Sequence, residues 1–435
     1  MWSEAAQTMP REQLRELQLQ RLQQLLALVY EQVGFYRDRL DGAGVRPEEV
    51  SGLDDLARLP LTSKDDMREV FPFGLFASAA ADIVEVHMSS GTTGKPVVGA
   101  YTRGDLQVWG EVMSRTLDAG GVGVHDIIQV AYGYGLFTGG LGGHYGGTTL
   151  GAMTLPMSSG NTFRQLNTMA DFGTTVLMCT PSYALFIAEY AREHGIDVAS
   201  GPLRAGFFGA EPWSEGMRAD IEAKLGIKAY DIYGLTELIG PGVAAECPEQ
   251  NGLHVFEDHF YPEIIDSETG EVLPAGEKGE LVLTTLTRTG TPVVRYRTRD
   301  ITYLIEEPCA CGRTSRRIHR LMGRNDDMLI VRGVNVFPQQ VEEVLLRVEG
   351  VEPYYQIVVD REGVLDTLEV EVEMAETLFS DEVKVILALE RRIEHELKLA
   401  LGIAAVVKLV NPKTIERSEG KAKRIVDRRS VPTGA

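Results

Sequence analysis

Cysteine is scarce in this chain, four among 435 residues. Four thiols in a chain of this length do not make the disulfide framework of a secreted scaffold. Positive charge is in deficit, 43 Lys and Arg against 63 Asp and Glu, a net of −20. That excludes a broad basic face for nucleic acid or for an anionic membrane surface. No apolar run reaches the ~18 residues of a bilayer span. Met1-Trp2-Ser3-Glu4 lacks the basic start and apolar stretch of a signal peptide. There is no Gly-x-Ser-x-Gly elbow and no cysteine in a recognisable nucleophile motif. Repeats and low-complexity segments are missing too. These absences leave a cytoplasmic enzyme acting on small molecules, without nucleic-acid or membrane partners.

With 44% hydrophobic and 24% charged residues, the chain is globular and long enough for two or three domains. Arg11 to Val33 predicts an amphipathic helix, with Leu14, Leu17, Leu22, Leu25, Leu26, Val29 and Val33 at helical spacing. That stripe either packs on the body or serves as a homodimer contact. A second short helix is expected over 61–70, capped by Thr62 or Ser63. From Ile83 to Leu283 short apolar strands such as 127–130, 175–178 and 205–208 alternate with helical stretches, the rhythm of a largely parallel sheet covered by helices. Past Tyr261 the chain turns β-rich. The boundary is set at 324/325: residues 1–324 form a large α/β domain of mixed sheets with a β-rich subdomain, and 325–435 a small mobile α+β domain. In the latter, 339–347 reads as helix, 368–374 as strand, and Ser380 caps a helix stopped by Gly402. Arg417 to Arg429 reads as a mobile basic tail.

Chemistry concentrates in a few segments. Ser89-Ser90-Gly91-Thr92-Thr93-Gly94-Lys95-Pro96 follows an apolar-alternating strand. Its glycines let backbone N–H groups turn inward, its hydroxyls donate and its lysine neutralises charge, which suits a nucleotide triphosphate. It is not a Walker A loop, because Ser89 and Pro96 stand where that motif needs Gly and Ser or Thr. Asp231-Ile232-Tyr233-Gly234-Leu235-Thr236-Glu237 ends a strand with an aromatic face for a purine, a hydroxyl for phosphate and a carboxylate for magnesium. Asp300 at another strand end can accept both hydroxyls of a ribose. Gly323-Arg324-Asn325-Asp326 and Arg417-Ser418-Glu419-Gly420-Lys421 complete the set.

These five segments, in this order and spacing, resemble the core motifs of the adenylate-forming superfamily, and more closely the phenylacetate–CoA ligase family, from about Leu61 to Arg429. The segments 131–140, 254–264 and 332–338 are similar to that family as well. The resemblance implies that a carboxylate attacks the α-phosphate of ATP, and that coenzyme A then takes the acyl group as a thioester. It implies that Ser89 to Lys95 hold the β- and γ-phosphates and that Gly209-Ala210-Glu211-Pro212 form the adenine turn. Tyr233 would stack on adenine, Thr236 touch the α-phosphate, Glu237 bind magnesium, Asp300 the ribose, and Arg324 the nucleotide or ribose. Lys421, with Lys423 as competitor, would approach the forming adenylate. Asp326 would be the hinge on which the small domain swings between half-reactions. An acid pocket is expected from Tyr132, Tyr134, Phe137, Gly139 and Gly140, its aromatic walls and glycine space suiting a flat aryl ring, phenylacetate above others. Core packing is the rival use of Phe137. Alternatives are a related adenylating enzyme with another aryl acid or a deazaflavin-coenzyme acceptor, and a non-catalytic nucleotide-binding homologue.

Cys309-Ala310-Cys311-Gly312 reads as a knuckle that Cys247 and His254 could complete into a structural Cys₃His zinc site, with His259 as rival ligand and unligated thiols as the other reading. Cys179 is expected as a core thiol, and His87 and His144 as satisfied structural histidines.

Overall fold

The computed structural model describes residues 1–89, 95–325, 328–332, 334–362, 365–375, 383–418 and 422–429. It divides into two compact units. The first comprises Met1–Thr180, Asp197–Ala210 and Ile227–Leu321; the second comprises Pro181–Ile196, Glu211–Gly226 and the chain from Met322 onward.

The first unit opens with α1 (Glu4–Gln7), α2 (Arg11–Gln32), α3 (Gly34–Gly42) and α4 (Lys64–Glu69). Leu14, Leu22, Leu25, Leu26 and Val29 of α2 are buried in the chain's own core, so the apolar stripe is spent internally rather than offered to a second copy. The cap of α4 is Ser63: its hydroxyl accepts from Asp66 N–H, and the Asp66 carboxylate accepts from Ser63 N–H at 2.7 Å. Thr62 instead donates to the Val294 carbonyl at 2.7 Å.

β1 (Ile83–Met88) and β2 (Val98–Thr102) form an antiparallel pair. Then come α5 (Arg103–Ala119), β3 (Ile127–Val130), α6 (Thr138–Leu150), β4 (Met153–Pro156), α7 (Thr162–Phe172) and β5 (Val176–Cys179). The chain continues through α8 (Pro181–Glu193), β6 (Ala205–Phe208), α9 (Glu215–Leu225) and β7 (Lys228–Leu235). Next are β8 (Gly240–Ala245), β9 (Leu253–Val255), β10 (Phe260–Ile265), β11 (Gly279–Thr285), β12 (Tyr296–Thr302), β13 (Leu304–Ile305) and β14 (Arg317–Ile318). Nine strands build one sheet in the order β4-β3-β5-β6-β7-β8-β9-β14-β13, parallel from β4 to β7 and antiparallel beyond. Every residue of β5 and β6 is buried, as expected of central parallel strands with both faces covered. Cys179 lies there as a fully buried thiol. β10, β11 and β12 make a separate antiparallel sheet, the β-rich portion expected past Tyr261.

In the second unit, α8 and α9 join the C-terminal elements, a grouping that the run of the sequence does not reveal. These are β15 (Leu329–Val331), β16 (Val334–Val336), α10 (Pro338–Leu345), β17 (Val351–Glu362), β18 (Leu365–Met374), α11 (Val383–Leu401), β19 (Val406–Val410) and β20 (Ile425–Asp427). A sheet β19-β18-β17-β20 encloses a second core, into which Leu368, Val370, Val372 and Met374 point from alternate positions of β18. Gly402 ends α11 at φ +73°. Ser380 lies outside the described residues. The expected mobile tail is corrected in part: Ile425, Val426 and Asp427 pair in parallel with Ile357, Val358 and Val359, because two apolar residues extend the sheet. Arg417 is held too, its guanidinium bonded to the carboxylates of Glu189 (2.9 and 3.0 Å) and Glu373 (2.6 and 2.9 Å) and stacked 3.4 Å over the Tyr354 ring.

Candidate functional site

In the first unit the C-terminal ends of β6 and β7 lie side by side, the usual place for a ligand in an open parallel sheet. Gly209 follows β6 so closely against β7 that a Cβ there would sit 2.3 Å from the Ile232 carbonyl oxygen. Ala210 then takes φ +71°, a left-handed conformation that a non-glycine residue adopts at a cost. At the end of β7, Gly234 passes Gly240 so tightly that a Cβ would meet its carbonyl oxygen at 1.9 Å. These contacts explain glycine at both positions.

Tyr233 is buried and donates its hydroxyl to Asp300 Oδ2 at 2.6 Å, which joins β7 to β12. Asp231 lies 3.8 Å from Arg320 across an ion pair, and its N–H donates to Glu246 Oε2 at 2.8 Å. Thr236 and Glu237 are both buried. The Glu237 carboxylate faces Lys64 Nζ at 3.3 Å, and Arg288 donates to the Glu237 carbonyl at 3.1 Å. One turn along α4 from Lys64, Arg68 donates to the Lys95 carbonyl at 3.0 Å. Helix α4 therefore links Lys95 to Glu237. Neither Lys64 nor Arg68 carried any signal in the sequence, since their partners are far along the chain. Lys95 is exposed, its ammonium 5.8 Å from the centre of the Phe71 ring. Ser89 is pinned, its N–H donating to the Val97 carbonyl and its hydroxyl accepting from Val97 N–H.

Residues 131–140 form the candidate acid pocket. Tyr132 is buried and donates to the Phe207 carbonyl at 3.4 Å. The space freed at Gly139 and Gly140 is taken by the pocket's own rings: a Cβ on Gly139 would lie 2.6 Å from the Phe137 ring, and one on Gly140 2.7 Å from the Tyr134 ring. The glycines thus admit the aromatic walls rather than leaving an empty niche. Phe137 is half-buried against the main core, so it serves packing as well. Burial pushes the Tyr134 phenol above its ordinary range, and its hydroxyl has no partner among the described residues.

The four donors of Cys247, His254, Cys309 and Cys311 lie within 4.8 Å of one another. The sulfurs of Cys247 and Cys309 are 3.7 Å apart, and Cys311 Sγ is 3.3 Å from His254 Nε2. Zinc bonds to thiolate and imidazole give tetrahedral edges of roughly 3.5–3.8 Å; the two closest pairs stand near that length, and the four donors are grouped as such a site needs. His254 Nδ1 meets Ser315 Oγ at 3.2 Å, an outer contact that would fix the ring. Burial alone would raise Cys311, but hydrogen bonds from His254 and Arg313 bring it down to about 5. Burial and the neighbouring sulfurs push Cys247 up to about 12. His259 is elsewhere: its Nδ1 meets Thr287 Oγ1 at 2.8 Å and its Nε2 faces Asp258.

In the second unit, Glu211 Oε1 accepts from Ser182 N–H (2.8 Å) and Oε2 from Ala422 N–H (2.9 Å), while Pro212 follows it toward α9. Arg324 is half-buried and Lys423 exposed. Ser90, Gly91, Thr92, Thr93, Gly94, Asp326 and Lys421 lie outside the described residues.

Two family descriptions match the chain: "AMP-binding enzyme" over residues 23–287 and "AMP-binding enzyme C-terminal domain" over residues 333–429. Its class is therefore that of the adenylate-forming enzymes. A phenylacetate-coenzyme A ligase of Thermus thermophilus is 49% identical over 443 residues, covering 99% of this chain and 100% of the relative. One from Escherichia coli is 48% identical over 422 residues, covering 97% and 96%. Among solved structures, a 2-hydroxyisobutyryl-CoA ligase in its postadenylation state superposes with a TM-score of 0.92 at 29% identity, covering 98% of this chain and 91% of that one. The chain belongs to the phenylacetate–CoA ligase family of the adenylate-forming superfamily. It is an AMP-forming acid–thiol ligase, which activates a carboxylic acid with ATP and forms a thioester with coenzyme A. Among the described residues no helix is long and apolar enough to cross a membrane.

Proposed function

We propose that the acid is phenylacetate, bound as the ring between Tyr132, Tyr134 and Phe137. The observation that carries this reading is identity of 47–49% to four curated ligases of that name, each across at least 96% of this chain. The aromatic walls are consistent with a flat aryl substrate. The buried, unpartnered Tyr134 hydroxyl favours a second reading, a ring-hydroxylated arylacetate.

In the proposed mechanism Ser89 to Lys95 hold the β- and γ-phosphates, and Gly209 to Pro212 with Tyr233 hold the adenine. Asp300, oriented by Tyr233, takes the ribose, and Arg324 adds a contact to the nucleotide. Thr236 donates to the α-phosphate. Lys421 offsets charge on the attacking carboxylate and that phosphate. This is catalysis by positioning and electrostatics, so no protein nucleophile is required. Glu237 would hold magnesium: its carboxylate is buried and already faces a cation, Lys64, as a site built for positive charge should. The metal would supply charge neutralisation at the phosphates. The Cys₃His cluster would hold a structural zinc, with four protein donors and no position left for substrate. Asp326 is assigned as the hinge between half-reactions, and the cytoplasm as the compartment.

A pyrophosphate-release screen tests the acid. Phenylacetate, its ring-hydroxylated forms, benzoate and 2-hydroxyisobutyrate are each mixed with ATP, magnesium and the protein, with and without coenzyme A. Phenylacetate should give the highest kcat/KM and depend on coenzyme A for multiple turnovers. A higher value for 2-hydroxyisobutyrate would overturn the assignment.

A further inference from the structure

β1 brings a carboxylate and an imidazole to its inner face, two positions apart: Glu85 and His87. His87 is 1% exposed. Its Nδ1 lies 3.1 Å from the Leu136 carbonyl oxygen and its Nε2 2.7 Å from Glu85 Oε1. The second carboxylate oxygen of Glu85 accepts from the Tyr145 hydroxyl of α6 at 2.5 Å. A carbonyl oxygen can only accept, so Nδ1 must carry a proton and donate to Leu136. Burial would raise the Glu85 carboxyl, but the contacts from His87 and Tyr145 hold it below its ordinary range. The Tyr101 and Trp109 rings face the His87 ring edge-on at 5.4 and 5.5 Å and fix its plane.

The partner of Nδ1 gives this arrangement its meaning. The Leu136 carbonyl is the middle of the acid-pocket segment, and it also accepts from Met88 N–H at 3.0 Å. Leu136 itself is 53% exposed, and Gly135 before it has φ +112°. The pocket segment is thus fastened to β1 by two donors at one carbonyl. The residue after β1, Ser89, begins the run proposed to hold the phosphates. We infer that His87 couples the two substrate sites: by tying Leu136 to the end of β1, it makes occupancy of the acid pocket favour nucleotide binding, and the reverse. Such coupling is reciprocal, since each ligand that orders the shared attachment lowers the ordering cost left for the other. His87 is a positioning residue here; it touches neither substrate. The inference rests on the proposed assignment of the acid pocket and phosphate run, and nothing in it requires the second unit.

The test measures affinity for a non-hydrolysable α,β-methylene ATP by calorimetry, with magnesium, in the presence and absence of saturating phenylacetate. For the unaltered protein the acid should tighten the nucleotide by roughly 5- to 100-fold. His87→Gln places an amide where Nε2 was, keeping a partner for Glu85 but removing the donor at Leu136; the ratio should fall to near one. His87→Asn places its amide where Nδ1 was and should keep most of the ratio. A purely structural role would weaken both ligands and leave the ratio alone. An unchanged ratio in His87→Gln overturns the coupling, as does a ratio of one in the unaltered protein. Phenylacetate that does not bind the unaltered protein at all refutes the acid assignment, and the coupling with it; binding without a ratio refutes the coupling only.

Discussion

Tyr233 Oη and Asp300 Oδ2 stand 2.6 Å apart, both residues buried, one at the end of a strand in the nine-stranded sheet and the other in the separate antiparallel sheet. The residue proposed to face the base therefore orients the residue proposed to face the sugar. Tyr233→Phe keeps the ring and removes that donor. Losing a buried charge-assisted hydrogen bond costs about 1–3 kcal/mol, roughly 5- to 150-fold in binding. KM for ATP should rise within that range while KM for the acid stays within about twofold, read from initial rates of pyrophosphate release.

Purified protein should contain one equivalent of zinc by elemental analysis. Cys311→Ser should lose it and unfold at a lower temperature, because the imidazole and two remaining thiols then lack a fourth donor. Once folded, the variant should keep its KM for the acid, since the cluster supplies no substrate contact.

The stability of the first unit should fall in acid. Burial would raise Glu111, yet His259 and Arg115 hold it down to about 2, against an ordinary 4.5. Glu257, bonded to Arg11 and to Arg316 Nε at 2.7 Å, is held low likewise, against burial. A carboxyl whose folded value is depressed binds protons less well in the native state than in the unfolded chain. Its stabilisation is complete above about pH 4.5 and is lost as the pH falls toward 2. Urea midpoints should fall steeply below pH 5, and Glu111→Gln should flatten that slope.

Arg417→Met should destabilise the second unit by about 3 kcal/mol or more, because Glu373, completely buried, would lose its cation. Hydrogen exchange resolved by peptide should speed up over residues 351–375 and leave β3, β5 and β6 protected.

Gly234→Ala should not give a folded protein at ordinary yield. The added methyl would stand 1.9 Å from a backbone oxygen, which cannot step aside as a flexible side chain could. Soluble yield and far-UV circular dichroism report this directly.

What the sequence made legible was local. The apolar stripe of α2, the Ser63 cap, the apolar runs 127–130 and 205–208 and the alternation in β18 carry their own periodicity. The ends of β6 and β7 were visible because glycine marks both close approaches. What stayed hidden depends on residues far apart in the chain. Lys64 meets Glu237 across 173 positions, Arg417 meets Glu189 across 228, and His87 reaches Leu136 across 49. The same reason hid the membership of α8 and α9 in the second unit, since their amphipathic pattern does not say which core they serve. The four-donor cluster was an exception, because cysteine is rare enough here for its spacing to stand out.

That cluster has a topological result. Cys247 and Cys309 lie 62 positions apart, and between them the chain makes the whole of β10, β11 and β12, Asp300 included. An ion held by both would act as a clasp, turning that long excursion into a closed ring. The clasp would restrict the unfolded chain far more than the folded one. Metal supply during synthesis would then decide how early the strand that carries Asp300 finds its register, well before any nucleotide arrives.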